Sequence, residues 1–421
     1  MKTRRWIASA MASVSFMVVS TGANAGEGAF APWKDGQSMD KNYFPIAVWL
    51  QNPGNAARYQ DIGINLYVGL WKGPTQAQID TLRKYKMPVV CSQNEWAKKH
   101  LDEPLIVAWM HGDEPDNAQR FKGYWKEDKG RIKQAWPEIY QKLNLDSKPY
   151  KGYGPPVPPQ WIVNDYKQIK ATDPRRPVLM NLGQGVAWKD YIGRGERRGR
   201  LEDYPEYIKG CDVVSFDIYP ACHRNSAVKQ NLWFVPQGVD RLREWAGPSK
   251  PVWTCIECTQ IQHPTTKATP HQIKCEVWMA IIHGAKGLIY FCHTWKPRFI
   301  EAGLLADAQT ARAVKEINAQ VTQLAPVINS PSLREAARVT TAPDADRVDM
   351  VVKRKGDALY VLSVNMKGQP TRGRFTLVNA GNAKAEVLGE KRTISVTNGV
   401  FEDGFEGWGV HLYRIGPVGV H

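Results

Sequence analysis

The sequence predicts an α/β fold: a (β/α)8 barrel of the TIM type followed by a small all-β domain of the sandwich kind. Three observations lead there. Eight short apolar runs recur along the first 330 residues, segments of helical character separate most of them, and the hydrophobic period then switches to strict alternation. The eight runs are FPIAVWLQ (44–51), INLYVGLW (64–71), MPVVCSQ (87–93), LIVAWMHGDE (105–114), PVLMNLG (177–183), DVVSFDIYP (212–220), PVWTCIE (251–257) and GLIYFCH (287–293). They are apolar nearly throughout, as expected of parallel strands buried on both faces. Between them, PTQAQIDTLRKYK (74–86), PPQWIVNDYKQIKATD (158–173) and HQIKCEVWMAIIHGA (271–285) read as helices. An open doubly wound sheet would place a glycine-rich phosphate loop after its first strand. LQNPGNAARY (50–59) has neither GxGxxG nor a phosphate-loop lysine.

In chain order, residues 1–25 read as a secretory signal: Lys2, Arg4 and Arg5 precede an apolar run, and Ala23-Asn24-Ala25 forms a small-residue cleavage site. Export to the periplasm or the medium is therefore expected, and no later segment is long and apolar enough to span a bilayer. The barrel is assigned to 26–330, with a long insertion at 117–157 after the fourth strand. That insertion carries Tyr124, Trp125, Trp136, Tyr140, Tyr150 and Tyr153 among lysines. Its aromatics are suited either to stacking on sugar rings over the barrel mouth or to forming a small core of their own. The sandwich is assigned to 335–417, where stretches such as RVDMVVKRKGDALYVLSVNM (347–366) alternate apolar and polar residues between Gly, Asn and Asp turns.

The formal charge of +15 falls to +12 without the three basic signal residues, and the excess is spread along the chain. Such a balance favours acidic partners. Export and the lack of a nucleic-acid motif argue against nucleic acid; an acidic or decorated glycan or an anionic cell envelope fits better, and a role of the charge in solubility alone fits equally well. The arginine-rich segment 192–200 is a candidate contact for an anionic substrate, or else a solvated loop. Seven cysteines are an odd set, so at least one stays free or pairs with another chain. One loop disulfide, Cys222 with Cys258, is an open option; a single CxxC with no second pair does not make a zinc site.

Two glutamates stand at the ends of predicted strands, Glu114 in IVAWMHGDEPD (106–116) on the fourth and Glu257 in KPVWTCIECTQ (250–260) on the seventh. Active sites of such barrels lie at the carboxyl ends of the strands. Glycosidic bond hydrolysis commonly uses two carboxyl groups flanking one bond. The barrel, the Glu-Pro after strand four, the glutamate after strand seven and a trailing sandwich ending in VHLYRI (410–415) together resemble the retaining glycoside hydrolases called clan A. That resemblance spans nearly the whole mature chain and implies that Glu114 is the acid/base and Glu257 the nucleophile of a β-glycan hydrolase acting by double displacement. It further implies that Tyr219 hydrogen-bonds Glu257, with Asp217 beside it. His293 and Trp295 would line the sugar site. The sequence departs from the clan in two places. Asp113 stands where an asparagine usually meets the sugar 2-hydroxyl, and the second strand lacks the arginine held beneath the nucleophile.

The remaining candidates come from strand ends. Trp49, Gln51, Trp71, Gln93 and Asn94 are expected around the sugar, whereas Trp109, Trp253 and His111 are expected to pack inside and Asp116 to cap the next helix. The mechanism needs no cofactor. Two other readings compete: a metal-dependent hydrolase built on His111, Asp113, His223 and His293, disfavoured because HxH and HExxH spacings are missing, and a catalytically silent glycan-binding barrel.

Overall fold

The computed structural model describes residues 33–34, 37–38, 40–120, 129–146 and 153–416. The signal segment and Tyr124, Trp125 and Tyr150 of the insertion lie outside the described residues. All eight predicted barrel strands are present: β1 Ile46–Trp49, β2 Leu66–Val68, β3 Val89–Cys91, β4 Ile106–Met110, β5 Val178–Leu182, β6 Val213–Phe216, β7 Thr254–Glu257 and β8 Leu288–Phe291. They run parallel in sequential order, and β8 pairs with β1 through Leu288 opposite Ile46. Between β6 and β7 a bridge from Val214 to Val252 closes the ring. Each strand is therefore covered on one face by helices and on the other by side chains filling the barrel, among them Trp49, Val68, Met110, Leu179, Trp253 and Ile289.

The strands are shorter than the apolar runs that announce them. In the fourth run the ladder stops at Met110, and His111 to Glu114 curl over the rim. The amide of His111 still reaches Leu179 O (3.0 Å) and that of Glu114 reaches Asn181 O (3.1 Å). Glu114 adopts φ 45°, a left-handed conformation that costs a non-glycine residue about 1 kcal/mol and that clusters at functional sites.

Local chemistry explains the helices. Thr75 and Gln78 form a capping box at the start of Gln76–Lys84, and Thr269 with Gln272 does the same for Pro270–Ile282. In helix Phe234–Ala246, Gly238 lies on the Phe216 ring at the end of β6; a Cβ there would come within 2.2 Å of the ring. Only glycine lets this helix approach so closely, and the approach fixes the strand end that carries Asp217.

The insertion forms its own small core. Ile132, Trp136, Ile139, Tyr140 and Leu145 pack together with Trp161, and the Trp136 indole donates to Pro156 O (3.0 Å). Of the two uses open to the aromatics, Trp136 and Tyr140 take the second. The arginine-rich segment also turns inward: Arg194 is buried between Asp116 (3.6 Å) and Asp203, and Arg197 pairs with Asp203 while lying over the Trp136 ring. Neither of these two arginines is a solvated charge or a free anion contact.

The C-terminal region is a sandwich of two antiparallel sheets. Strands β9 Ala337–Thr340, β12 Thr371–Leu377 and β15 Val400–Phe405 form one in the order β9-β12-β15. The other runs β10-β11-β16-β13-β14, built from β10 Val348–Lys355, β11 Ala358–Asn365, β13 Ala383–Val387, β14 Arg392–Val396 and β16 Val410–Ile415. Phe375, Phe401, Phe405 and Tyr413 stack at its centre. The sandwich rests on helices Pro270–Ile282 and Ala308–Ile328 of the barrel. There His283 sits between Asp240 (2.8 Å) and Asp349 (3.2 Å), and His271 meets Gly407 O (2.7 Å).

Candidate active site

The carboxyl ends of β4, β5 and β6 bring three acids together. Glu114, Asp113 and Asp217 share one recess, with the Tyr219 and Tyr191 phenols and the Cys255 thiol beside them. Asp113 accepts from Asn181 Nδ2 (3.0 Å), whose own Oδ1 accepts from Ser215 Oγ (2.8 Å). Solvent reaches Asp113 and part of Glu114 from the mouth, while protein surrounds them on the remaining sides.

Burial and crowding keep these groups protonated beyond the usual range. Removal from water, then the neighbouring acids, raise Glu114 well above an ordinary glutamate. Burial raises Asp217 to about 7, with the Asp113 charge adding to it, and raises Asp113 to about 6. Glu114 and Asp217 are neighbours: the Asp217 charge raises Glu114, while the hydrogen bond with Glu114 favours the charged form of Asp217. Asp217 Oδ1 is buried and has no hydrogen-bond partner among the described residues.

Glu257 lies apart from this cluster. It is completely buried, and its two oxygens accept the backbone N–H groups of Ala221 (2.5 Å) and Cys222 (2.9 Å). Glu276, on helix Pro270–Ile282, is turned toward it and is raised far above the carboxylate range by burial and by the Glu257 charge. The chain after β6 crosses toward β7, and its amides need an acceptor once they leave water. Glu257 fills that need. The expectation that it presents a free carboxylate to substrate is thus corrected, as is its expected bond to Tyr219, which instead stands against Asp217.

The other candidates divide clearly. Trp49 is packed inside the barrel. Gln51 is buried in an amide network: its Nε2 reaches Trp49 O (3.2 Å), His293 Nε2 (3.2 Å) and Glu301 O (3.1 Å), and its Oε1 accepts from Tyr59. Gln93 donates to Ile169 O (3.2 Å), and Asn94 caps helix Glu95–Lys98 through Ala97 N (2.9 Å), so both serve the scaffold rather than a sugar pocket. Trp71 and Trp295 are exposed by 71% and 48%, consistent with platforms at the rim. Trp295 belongs to a shelf with His293 and Phe299, the Trp295 and Phe299 rings 4.8 Å apart. Reciprocal bonds between Thr294 and Ile300, each 2.9 Å, brace the hairpin that carries it, with Lys296 and Arg298 exposed at its tip.

Asp116 does not cap a helix. It is fully buried, accepting from Gly183 N (2.8 Å) and Tyr204 OH (3.0 Å), and ties the rim of β4 to the chain after β5. His111 is satisfied by Gly210 O (2.7 Å); His223 binds Gln184 Oε1 (3.0 Å) through Nε2 and Asn225 N (3.0 Å) through Nδ1. Among the described residues no group of three or more His, Cys, Asp or Glu side chains is arranged to hold a metal. All seven cysteines are buried free thiols, so the Cys222–Cys258 bond is not formed. Sequence reasoning missed Asn181, Tyr191, Glu276 and Phe299. Asn181 did leave a signal, as the lone polar residue inside the apolar run PVLMNLG.

No protein-family model matches the chain, and no curated protein matches it. Solved structures do. A β-galactosidase from Bacillus circulans sp. alkalophilus superposes with a TM-score of 0.53 at 11% identity, over 89% of this chain and 99% of that one. An α-amylase from Anoxybacillus gives 0.51 at 11%, over 91% and 100%. A catalytic mutant of a GH42 β-galactosidase from G. stearothermophilus gives 0.51 at 8%, over 89% and 98%. The likeness is one of fold. It extends through the barrel and the C-terminal sheets alike.

Proposed function

We propose that the chain is an exported glycoside hydrolase whose general acid is Glu114. The observation that carries this reading is the position of Glu114 at the carboxyl end of β4 of a parallel barrel, with Asp217 and Asp113 beside it raising its pKa along with desolvation. A glycosidic oxygen is a poor leaving group until it is protonated, and an acid with a raised pKa supplies that proton at neutral pH. Asp217 is the charged partner that stays beside Glu114 as bond cleavage develops positive charge on the sugar. Structures of similar fold named β-galactosidase and α-amylase support carbohydrate as the substrate class. The net positive charge, with Lys296 and Arg298 at the rim beside the aromatic shelf, favours an acidic or decorated glycan. The basic, apolar and small-residue order of the first 25 residues supports export.

The test is digestion of a polysaccharide and oligosaccharide panel by the purified mature protein and its Glu114→Gln variant, with products resolved by mass. Loss of general acid assistance lowers turnover by roughly 10²–10⁴-fold. A parent that cleaves nothing on the panel, or a variant as fast as the parent, would end the proposal.

A further inference from the structure

Glu114 does not hold its own conformation. A glutamate with φ 45° stays there only when its surroundings fix it on both sides. Both of its backbone groups are taken. Its N–H donates to Asn181 O (3.1 Å) on β5, and its carbonyl accepts from Asn117 N (3.1 Å) and from Gln119 Nε2 (3.1 Å). Gln119 Nε2 also donates to Asn117 O (2.8 Å). Two carbonyl oxygens at one end of a side-chain amide admit only its NH2 group, so the partners of Gln119 fix which way it is turned. On the strand side, Asn181 Nδ2 holds the preceding residue, Asp113, at 3.0 Å, and Ser215 Oγ at 2.8 Å from Asn181 Oδ1 keeps that amide oriented.

Gln119 belongs to the root of the insertion. Its N–H donates to Pro155 O (3.2 Å) and its carbonyl accepts from Gly154 N (2.7 Å), so the two ends of the insertion pair side by side. A bridge from Arg120 to Tyr153 continues this pairing, with Arg120 Nε 3.1 Å from the Tyr153 hydroxyl. Val157 N donates to Pro115 O (2.9 Å), and the Trp136 indole of the small core reaches Pro156 O (3.0 Å). A continuous set of contacts therefore runs from the core of the insertion to the carbonyl of Glu114.

We infer that the insertion braces the general acid, with Gln119 as its positioning residue. The inference rests on the glycosidase reading above. Strand β5 fixes the N–H side of the turn and the insertion fixes the carbonyl side. Released on one side, residue 114 relaxes toward an ordinary φ and carries its carboxyl away from the glycosidic oxygen. Proton transfer needs hydrogen-bond reach, so a displacement of about 1 Å slows it sharply. Gln119 acts on the main chain of Glu114 rather than on its carboxyl, so its loss weakens protonation of the leaving group and leaves sugar binding in place.

The test uses two glycosides of whichever sugar the mature protein cleaves. One releases an alkyl alcohol, which must be protonated to depart, and the other releases dinitrophenolate, which departs without a proton. Gln119→Met keeps the length of the side chain and removes the donor. It should lower kcat on the alkyl glycoside roughly 10- to 100-fold with KM little changed, and cleave the dinitrophenyl glycoside at nearly the parent rate. Gln119→Glu, the isostere without the amide donor, should show the same split and gives a second reading where the first variant fails to fold. Equal slowing on both glycosides, or an alkyl-glycoside kcat matching the parent, would overturn the inference and leave the glycosidase intact. A parent that cleaves no glycan on the broad panel would remove both.

Discussion

Replacing Asp217 with asparagine removes one charge from the recess while keeping nearly the same volume. Burial holds the Asp217 acid at about 7 against 3.8 in an open chain, a rise of roughly 3 units. At 1.36 kcal/mol per unit the folded state is penalised by up to about 4 kcal/mol once the group is ionised in both states. The sign follows from the raised value: the folded state has its full advantage below pH 4 and loses it as pH rises through 7. Because Asp217 and Glu114 influence each other's titration, that figure is an upper bound for Asp217 alone, and a relief on the order of 2 kcal/mol is expected. Urea unfolding at pH 4 and pH 8, followed by tryptophan fluorescence, measures this. Asp217→Asn should match the parent to within about 0.5 kcal/mol at pH 4 and exceed its stability by about 2 kcal/mol at pH 8, while losing turnover at both. A stability difference independent of pH, or a variant weaker than the parent at pH 8, would refute the crowded-acid account of the site.

Three further perturbations probe the scaffold and the rim. His283 is raised to about 9 by Asp240 and Asp349, so its stabilising contribution is full below about pH 6.5 and lost as pH rises through 9; His283→Gln should cost about 2 kcal/mol at pH 6 and almost nothing at pH 10 in urea titrations. Phe299→Ala should raise KM for oligosaccharides about 10-fold by removing half of the rim shelf, with kcat and unfolding midpoint little changed in steady-state kinetics and thermal melts. Gly238→Ala should destabilise by about 1–3 kcal/mol in thermal melts, because the new methyl meets the Phe216 ring at 2.2 Å.

The barrel was readable from sequence because a strand buried on both faces must be apolar along its whole length, and eight such runs at helix-separated spacing suit a closed sheet. Where the runs stop is less readable: the polar residues 111–114 close the fourth run in sequence, yet the regular ladder ends at Met110 while the His111 and Glu114 amides still reach β5 carbonyls. The three acids of the cluster were legible by the same logic, since Asp113, Glu114 and Asp217 each follow a strand end. Glu257 shows the limit. Its position after β7 is a local fact, but what it faces is decided by a loop 35 residues earlier whose amides close over it. Arg194 and Arg197 mislead for a similar reason: in sequence they are a run of charge, and in space they are the counterions of Asp203 and Asp116.

Helix Pro270–Ile282 has almost no face left for water: the barrel takes one side and the sandwich the other. A change of periodicity near residue 330 divides the sequence, but it does not divide the molecule into separable parts. Cutting the chain there would uncover the side of this helix that meets the sandwich, break the contact of His271 with Gly407 O and leave His283 without Asp349. The sandwich is thus less an appended module than the outer wall of the barrel. The gene carries two folding patterns, and the chain packs one against the other.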